Sequence, residues 1–155
     1  MTGPVVLHVR EASAFERLLE LLVEYERSLP EELRHGPEPD IQYLRRTYGE
    51  PNAAFIACVD DVASGCIAVR RHDECTAVLQ RLYVRSGYRG RGLARTLVAA
   101  AIDFCRKGEC RRVVLDTARE QLPAAYGLYV SLGFTMCEPY YPVAYDSAIF
   151  MELRL

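Results

Sequence analysis

The chain has no apolar run that approaches the roughly 18 residues needed for a membrane-spanning helix. Its first residues lack a basic segment followed by an apolar one, so we expect no secretory signal and a cytoplasmic protein. The formal net charge is −2, which leaves no general excess of positive charge for binding nucleic acid. We therefore expect neither a membrane protein nor a nucleic-acid-binding protein.

Patterns typical of metal sites and hydrolases are also absent from the sequence. Its six cysteines include no Cys-x-x-Cys pair, and its three histidines have no zinc-ligand spacing. No histidine has a nearby Ser or Cys in the context of a nucleophile, which argues against a hydrolase triad. We expect no metal site, and most cysteines lie in apolar runs, where a thiol acts as a small hydrophobic core residue.

Length and composition predict one globular domain. The 155 residues are 50% hydrophobic and 26% charged, which is typical of a chain that buries its own core. Internal repeats and low-complexity tracts are not visible. We therefore expect residues 1–155 to form a single domain.

The order of helical and strand-like segments predicts the fold class. Two helices come first, one from about Ala14 to Glu26 begun by a capping box at Ser13–Glu16, and a short one capped by Asp40. An antiparallel meander and a strand–helix–strand unit follow, and such a unit favours a right-handed crossover between parallel strands. We therefore expect an α/β (α+β) fold with a mixed, mostly antiparallel twisted sheet flanked by helices. The predicted strands are Val5–Arg10, Ala53–Val59, Gly65–Val69, Thr76–Val84, Arg112–Asp116, Phe134–Cys137 and Ala148–Leu155, and the later helices are Gly90–Lys107 and one that starts at Pro123 and is capped by Gly133.

A turn rich in glycine and arginine connects the strand that ends at Val84 to the following helix. Gly90 and Gly92 remove Cβ atoms where the backbone turns sharply, and the helix directs its positive dipole end at the same place. Arg89 and Arg91 add side chains that can fork onto phosphate oxygens. The combination predicts a phosphate-binding element.

Two common phosphate-binding motifs do not fit this turn. A P-loop needs a Lys followed by Ser or Thr after its last glycine, and Leu93-Ala94 occupies that place. A dinucleotide fingerprint needs the spacing G-x-G-x-x-G, whereas Gly87, Gly90 and Gly92 have the reverse spacing and follow an antiparallel meander. A third kind of site is therefore needed.

Two segments resemble motifs of the GNAT N-acetyltransferases. Gly87-Tyr88-Arg89-Gly90-Arg91-Gly92 follows the family's Q/R-x-x-G-x-G/A signature with Gly87 in place of the first Gln or Arg, and the letters also fit in a second register at Arg89–Ala94. Leu128-Tyr129-Val130-Ser131-Leu132-Gly133-Phe134 is similar to the family's L-Y-x-x-x-G-F, and the motifs lie about 40 residues apart with a strand between them. Leu115-Asp116-Thr117 and Pro139-Tyr140-Tyr141-Pro142 look like a bacterial subgroup of small members. The resemblance implies the GNAT fold and activity.

The resemblance also implies where acetyl-coenzyme A would bind. The end of the central strand would hydrogen-bond the pantetheine arm as an added strand, and the backbone N–H groups of the turn would bind the pyrophosphate with help from the helix dipole. Arg95 has two equally favoured roles, a phosphate ligand or a solvated helix residue. The implied cofactor-binding residues are Leu82, Tyr83, Val84, Arg89, Gly90, Arg91, Gly92, Leu93, Ala94 and Arg95.

Chemistry in this family is direct attack of an amine on the thioester. A backbone N–H near Val84 would stabilise the oxyanion, and Tyr129 would supply the proton for the departing thiolate, unless Tyr129 serves packing alone. Many relatives carry a Glu on the central strand as base, but Val78 and Gln80 stand at those places here. A second departure is Leu122, where relatives often have an Asn that contacts the cofactor. The candidate bases are Asp116, Tyr140 and Glu74.

The acceptor is less constrained than the donor. We expect a primary amine on a small molecule, with no metal cofactor. Acidic residues in the early loop could attract a cationic acceptor or form a solvated face. A protein or peptide acceptor, or a catalytically silent acyl-CoA-binding domain, are the alternatives. The tyrosines of the Tyr140–Tyr141 loop could line a substrate pocket or the seam of a homodimer. The acidic residues are Glu24, Glu26, Glu31, Glu32, Glu38 and Asp40.

Overall fold

A seven-stranded sheet forms the centre of this computed structural model, which describes residues 3–142 and 147–155. Its strands are β1 (Val5–His8), β2 (Ala53–Val59), β3 (Val62–Arg71), β4 (Thr76–Val84), β5 (Arg112–Ala118), β6 (Thr135–Met136) and β7 (Ala148–Arg154). They lie in the order β1-β2-β3-β4-β5-β7-β6. Within the described residues, β4 and β5 run parallel and the other neighbouring pairs run antiparallel. The predicted mixed, mostly antiparallel sheet is confirmed.

Helices cover both faces of this sheet. They are α1 (Ala12–Ser28), α2 (Ile41–Tyr48), α3 (Leu93–Lys107) and α4 (Pro123–Ser131). Strand β2 shows how the two cores divide, because Phe55 packs in the cluster with α3 and α4, whereas Ile56 packs in the cluster with α1 and α2. Successive side chains of a strand point to opposite faces, so one apolar run contributes to both cores.

The first helix begins earlier than predicted and lacks the predicted capping box. It starts at Ala12 with Glu11 as its N-cap residue, and no side chain caps it. Ser13 therefore lies in the first turn, and the buried apolar face of the helix, rather than a cap, stabilises it. Asp40 does cap α2 as predicted, since its Oδ1 accepts a hydrogen bond from the backbone N–H of Tyr43 at 2.8 Å.

The predicted hairpin of β2 and β3 is confirmed. Its turn residues Asp60 and Asp61 have φ angles of 50° and 67°. These values lie in the left-handed region that the favoured two-residue hairpin turns require, and Asp tolerates that region better than most residues.

The cap that ends α4 is confirmed as well. Gly133 adopts a left-handed conformation with a φ of 97°. The backbone N–H of Phe134 donates to the carbonyl of Tyr129 at 3.0 Å, as at many helix C-termini. Because Phe134 takes part in this cap, the strand predicted over Phe134–Cys137 is shorter and spans Thr135–Met136.

The parallel strands β4 and β5 pair along only part of their length. Thr76–Val78 pair with Arg112–Val114, and the pairing ends there. Farther along β4, Arg81 has a φ of 60° and the register with β3 is interrupted. A bulge of this kind bends a strand and increases its twist. The two strands therefore diverge, and within the described residues no strand pairs with the second edge of Leu82–Val84.

Most thiols are core residues, as predicted. Cys58, Cys66, Cys105 and Cys110 are buried, whereas Cys75 is exposed. Burial raises the pKa of Cys66 and of Cys105 to about 12, so these two thiols stay protonated at neutral pH.

Within residues 3–142 and 147–155, no helix is both long and apolar enough to cross a membrane. Over the same residues, no group of three or more His, Cys, Asp and Glu side chains is arranged so that it could hold a metal ion.

Candidate active site

A cleft of about 600 Å³ opens beside the free edge of β4. Its walls are the end of β4, the glycine turn with the start of α3, the segment that begins α4, and the end of α1. All of the predicted cofactor-binding residues except Arg91 line it, namely Leu82, Tyr83, Val84, Arg89, Gly90, Gly92, Leu93, Ala94 and Arg95.

Gly90 and Gly92 give the turn before α3 its shape. Their φ angles are 79° and 78°, values that glycine adopts much more easily than other residues. A Cβ atom at either position would meet nothing within 4 Å, so the turn presents bare backbone. Gly92 is the N-cap residue of α3, and no side chain caps the first N–H groups of that helix. Uncapped N–H groups and the positive end of the dipole make this turn suitable for a pyrophosphate.

Each arginine of the turn has one contact with the protein. Arg89 Nε donates to the carbonyl of Val84 at 3.0 Å. The guanidinium of Arg91 lies over the ring of Tyr88, with its Cζ 5.3 Å from the ring centroid. Arg95 lines the cleft and donates from Nη2 to a serine hydroxyl of α4 at 2.9 Å. The backbone N–H groups of the turn therefore offer donors beside those N–H groups of the arginines that these contacts leave unused.

The segment that begins α4 contributes a polar group that sequence reasoning missed. Gln121 lines the cleft, and its Nε2 donates to Glu32 at 3.2 Å. Its Oε1 is buried and accepts no hydrogen bond from the described residues. An unpaired buried acceptor costs about 1–3 kcal/mol, so this oxygen would gain from an N–H donor on a ligand. Leu122, where the family often has Asn, adds only apolar surface beside it.

Tyr129, the predicted proton donor, is a buried core residue and does not itself line the cleft, although the preceding Leu128 does. It is 7% exposed, and its ring centroid lies 5.6 Å from that of Phe134. Burial, followed by electrostatic interactions with Tyr25 and Asp116, raises the pKa of Tyr129. The hydroxyl group therefore stays protonated at neutral pH, as a proton donor must.

Tyr25, near the end of α1, is a second phenol of the cleft and was missed from the sequence. It lines the cleft, and its ring stacks on His35 with the centroids 5.9 Å apart. Burial raises the pKa of Tyr25 to about 12. Tyr25 continues the apolar face of α1 at helical spacing from Leu18 and Leu22, and this spacing is the signal that could have placed it inward.

Asp116 and Tyr140, two of the candidate bases, lie together, whereas Glu74 lies elsewhere. The hydroxyl groups of Tyr140 and Tyr141 both face Asp116 Oδ1, the first at 3.5 Å and the second in closer contact. Burial, then the charge of Asp116, raises the pKa of Tyr140. Glu74 precedes β4, at the opposite end of that strand from Val84, so it cannot serve the same site.

The acidic residues of the early loop mostly have partners within the protein. Glu24 pairs with Arg85, Glu38 pairs with Arg81, and Asp40 caps α2. Glu26 accepts from the backbone N–H groups of two residues of the loop, and Glu32 accepts from Gln121. These contacts weaken the expectation that the acidic loop attracts a cationic acceptor.

The model of the acetyltransferase (GNAT) family matches residues 15–134 of this chain. The chain is 35% identical over 113 residues to an uncharacterized N-acetyltransferase of Schizosaccharomyces pombe, which covers 71% of this chain and 69% of that protein. It is 34% identical over 98 residues to the N-acetylaspartate synthetase of Homo sapiens, covering 61% of this chain and 32% of that protein. It is 35% identical over 102 residues to N-alpha-acetyltransferase 30 of Saccharomyces cerevisiae, covering 62% of this chain and 52% of that protein. The matched part is thus about a third of one relative and about half of another.

Solved structures share the whole architecture. An acetyltransferase from Streptococcus agalactiae 2603 superposes with a TM-score of 0.81 at 23% identity, over all of both chains. The protein yncA of Salmonella typhimurium, in a structure with its cofactor acetyl-CoA, superposes with a TM-score of 0.76 at 19% identity, over 99% of this chain and 94% of that one. These likenesses confirm the expected acyl-CoA N-acyltransferase fold.

Proposed function

The chain belongs to the GNAT family of acetyl-CoA-dependent acyltransferases, and we propose that it transfers an acetyl group from acetyl-CoA to the primary amine of a small molecule. The observation that carries the proposal is the cleft beside the unpaired edge of β4, with two left-handed glycines and the uncapped start of α3 at its rim. One relative is named as an N-acetylaspartate synthetase, and this supports a small molecule as acceptor.

The chain offers a separate group to each part of acetyl-CoA. The backbone N–H groups from Arg89 to Ala94 would bind the pyrophosphate, and the open edge of Leu82–Val84 would bind the pantetheine arm. Gln121 Oε1 would accept a hydrogen bond from an amide of that arm, in place of the Asn that the family often has next to it. When bound, the cofactor supplies an activated acetyl thioester.

The backbone of β4 is oriented to stabilise negative charge in the cleft. The N–H of Arg85 donates to Ser64 of β3 at 2.9 Å. Because successive N–H groups of a strand point to opposite edges, the N–H of Val84 points away from β3, toward the cleft. An N–H donor fixed in this direction would stabilise a developing oxyanion without reorganising.

Two side chains would move protons in opposite directions. Tyr129, whose pKa is raised by burial, would donate a proton to the departing thiolate. Asp116, which lies two residues beyond the last pairing of β5 with β4, would accept a proton from the ammonium of the acceptor and so leave the free amine that attacks the thioester. Asp116→Asn should then slow turnover more at neutral pH than at high pH, where free amine is already abundant.

A screen of primary amines with mass-spectrometric detection of acetylated products tests the proposal. A thermal-shift titration with acetyl-CoA runs beside it, because binding to the native fold must raise the melting temperature. A thermal shift and acetylation of small amines is the expected result. A thermal shift with no acetylated amine would favour a silent binding domain, and acetylation of peptide N-termini alone would favour a protein acetyltransferase. The absence of any thermal shift at saturating acetyl-CoA would contradict the cofactor assignment.

A further inference from the structure

An arginine lies at the bulge that opens the cleft. Arg81 has a φ of 60°, and its side chain is only 20% exposed. A bulky residue in left-handed backbone is uncommon, and such positions cluster where a function requires them. Leu82, the next residue, lines the cleft, whereas Arg81 itself does not. Arg81 lies three residues beyond Val78, the last residue of β4 that pairs with β5.

The hydrogen-bonding capacity of Arg81 is largely unused. Its Nε donates to Glu38 Oε1 at 3.3 Å. Among the residues that the structure describes, none accepts a hydrogen bond from Nη1 or Nη2. A guanidinium presents a planar fork of donors that matches a carboxylate, and such a fork is seldom buried without a partner.

The opposite charges of Arg81 and Asp116 act on the same three aromatic side chains, of which Tyr25 lines the cleft. The pKa values of Tyr25, His35 and Tyr141 each respond to both Arg81 and Asp116. Tyr25 lines the cleft, and Tyr141 donates to Asp116. Arg81 and Asp116 lie three and two residues beyond Val78–Val114, the last pair that joins β4 to β5. A positive and a negative group thus lie on neighbouring strands where these diverge, which suits a ligand that carries one charge of each sign.

Arg81 keeps its charge in this setting. Burial disfavours the charged form, but Tyr48, Glu38 and Tyr25 outweigh burial, so the pKa of Arg81 is raised. Glu38 itself is 11% exposed, so the pair is partly buried rather than fully solvated.

We propose that the acceptor is a free amino acid, whose carboxylate binds the open fork of Arg81 while its amine faces Asp116 and the thioester. The proposal rests on the proposed function and adds its substrate class. Two N–H donors on one planar group would hold the carboxylate in a single orientation, and this would position the neighbouring amine for attack. Glu38 pairs with Arg81 Nε, and its negative charge would repel the carboxylate of the acceptor and so weaken its binding.

The test compares free amino acids with their α-amides and their decarboxylated amines as acceptors. The KM for each acceptor and the KM for acetyl-CoA are measured in the native protein, Arg81→Gln, Arg81→Lys and Glu38→Gln. Arg70→Gln, which removes an exposed arginine of β3, is the matched control. Aspartate, asparagine and aspartate α-amide separate recognition of an α-carboxylate from recognition of a side-chain carboxylate.

Substitutions of Arg81 and of Glu38 should change the KM for amino acids in opposite directions. Arg81→Gln should raise the KM for amino acids by about 10- to 100-fold, the usual value of hydrogen bonds to a charged group, and Arg81→Lys should raise it less. Glu38→Gln keeps an acceptor for Arg81 Nε but removes the competing charge, so it should lower the KM. The KM for acetyl-CoA and the thermal shift should stay unchanged in all of them.

Three outcomes would overturn the proposal. Equal or better acetylation of amides and decarboxylated amines would exclude carboxylate recognition and leave the proposed function intact. An amino-acid KM that does not change in Arg81→Gln, in a variant that still binds acetyl-CoA, would exclude Arg81. Acetylation of no amine of any class would overturn the proposed function and this proposal together.

Discussion

The two sides of the cleft are built in different ways. The proposed donor side is mainly a continuous stretch, Leu82 to Arg95, with bare backbone and an uncapped helix start, to which the segment before α4 adds Gln121. The proposed acceptor side is assembled from distant segments that bring Glu38 to Arg81 and Tyr141 to Asp116, four residues that do not themselves line the cleft. The donor side needs only one local conformation, whereas the acceptor side needs the whole sheet to form first.

The largest expected effect is on the chemistry between the two sides. Tyr129→Phe removes the proposed proton donor, so turnover should fall by about 100-fold or more, in the range of general acid catalysis. The KM for acetyl-CoA should remain within about twofold, because the ring still packs against Phe134. Steady-state kinetics with a saturating acceptor measure both. Tyr126→Phe on the same helix is the control, and turnover equal in the two variants would remove Tyr129 from the mechanism.

Substitution of a glycine in the turn should have a smaller effect, limited to binding of acetyl-CoA. Gly92→Ala places a methyl group where φ is 78°, at a backbone cost of about 1–2 kcal/mol, and it covers N–H groups that would bind pyrophosphate. The KM for acetyl-CoA should rise about tenfold or more, and the preference among acceptors should not change. Gly87→Ala is the matched control, because its Cβ also meets nothing within 4 Å but its φ is not positive. If both variants bind acetyl-CoA as the native protein does, the turn is not the pyrophosphate site.

A further donor-side effect should separate binding from stability. Gln121→Met replaces a buried acceptor that has no partner among the described residues with an apolar group of similar length. The free protein should melt at the same temperature or higher, since an unpaired acceptor is removed. The KM for acetyl-CoA should nevertheless rise about fivefold, the value of one hydrogen bond. A lower melting temperature with an unchanged KM would show that Gln121 is only structural.

The smallest effect concerns protonation on the acceptor side. Burial, then the charge of Arg81, lowers the pKa of His35, against the opposing charge of Glu26. Arg81→Gln should raise this pKa, and an NMR titration of the imidazole measures the change. Because the pKa is lower in the folded protein, the contribution of His35 to stability is complete above its unfolded pKa near 6.5 and is lost as pH falls toward the folded value. An unchanged pKa of His35 in Arg81→Gln would show that the charge of Arg81 does not act on His35.

The features that could be predicted from the sequence are those set by a short local segment. Gly90, Gly92 and Gly133 were predicted from turn and cap chemistry alone, and the structure places all three at positive φ. The capping box at Ser13–Glu16 was wrong, since α1 starts at Ala12 and no side chain caps it.

The acceptor side could not be predicted because its contacts join remote residues. The left-handed conformation of Arg81 depends on how β3 and β4 lose register, which no local pattern signals. Tyr141 meets Asp116 across 25 positions of sequence. The assignment of roles to Tyr129 and to the cofactor-binding residues stays a prediction, since position alone does not test chemistry.

The most direct test of the account is a crystal structure of the protein with coenzyme A bound. We expect the pyrophosphate on the backbone N–H groups between Arg89 and Ala94, the pantetheine arm along the open edge of Leu82–Val84, and Gln121 Oε1 accepting a hydrogen bond from that arm. Coenzyme A bound with its phosphates away from the start of α3, or with its arm outside the cleft beside β4, would contradict it.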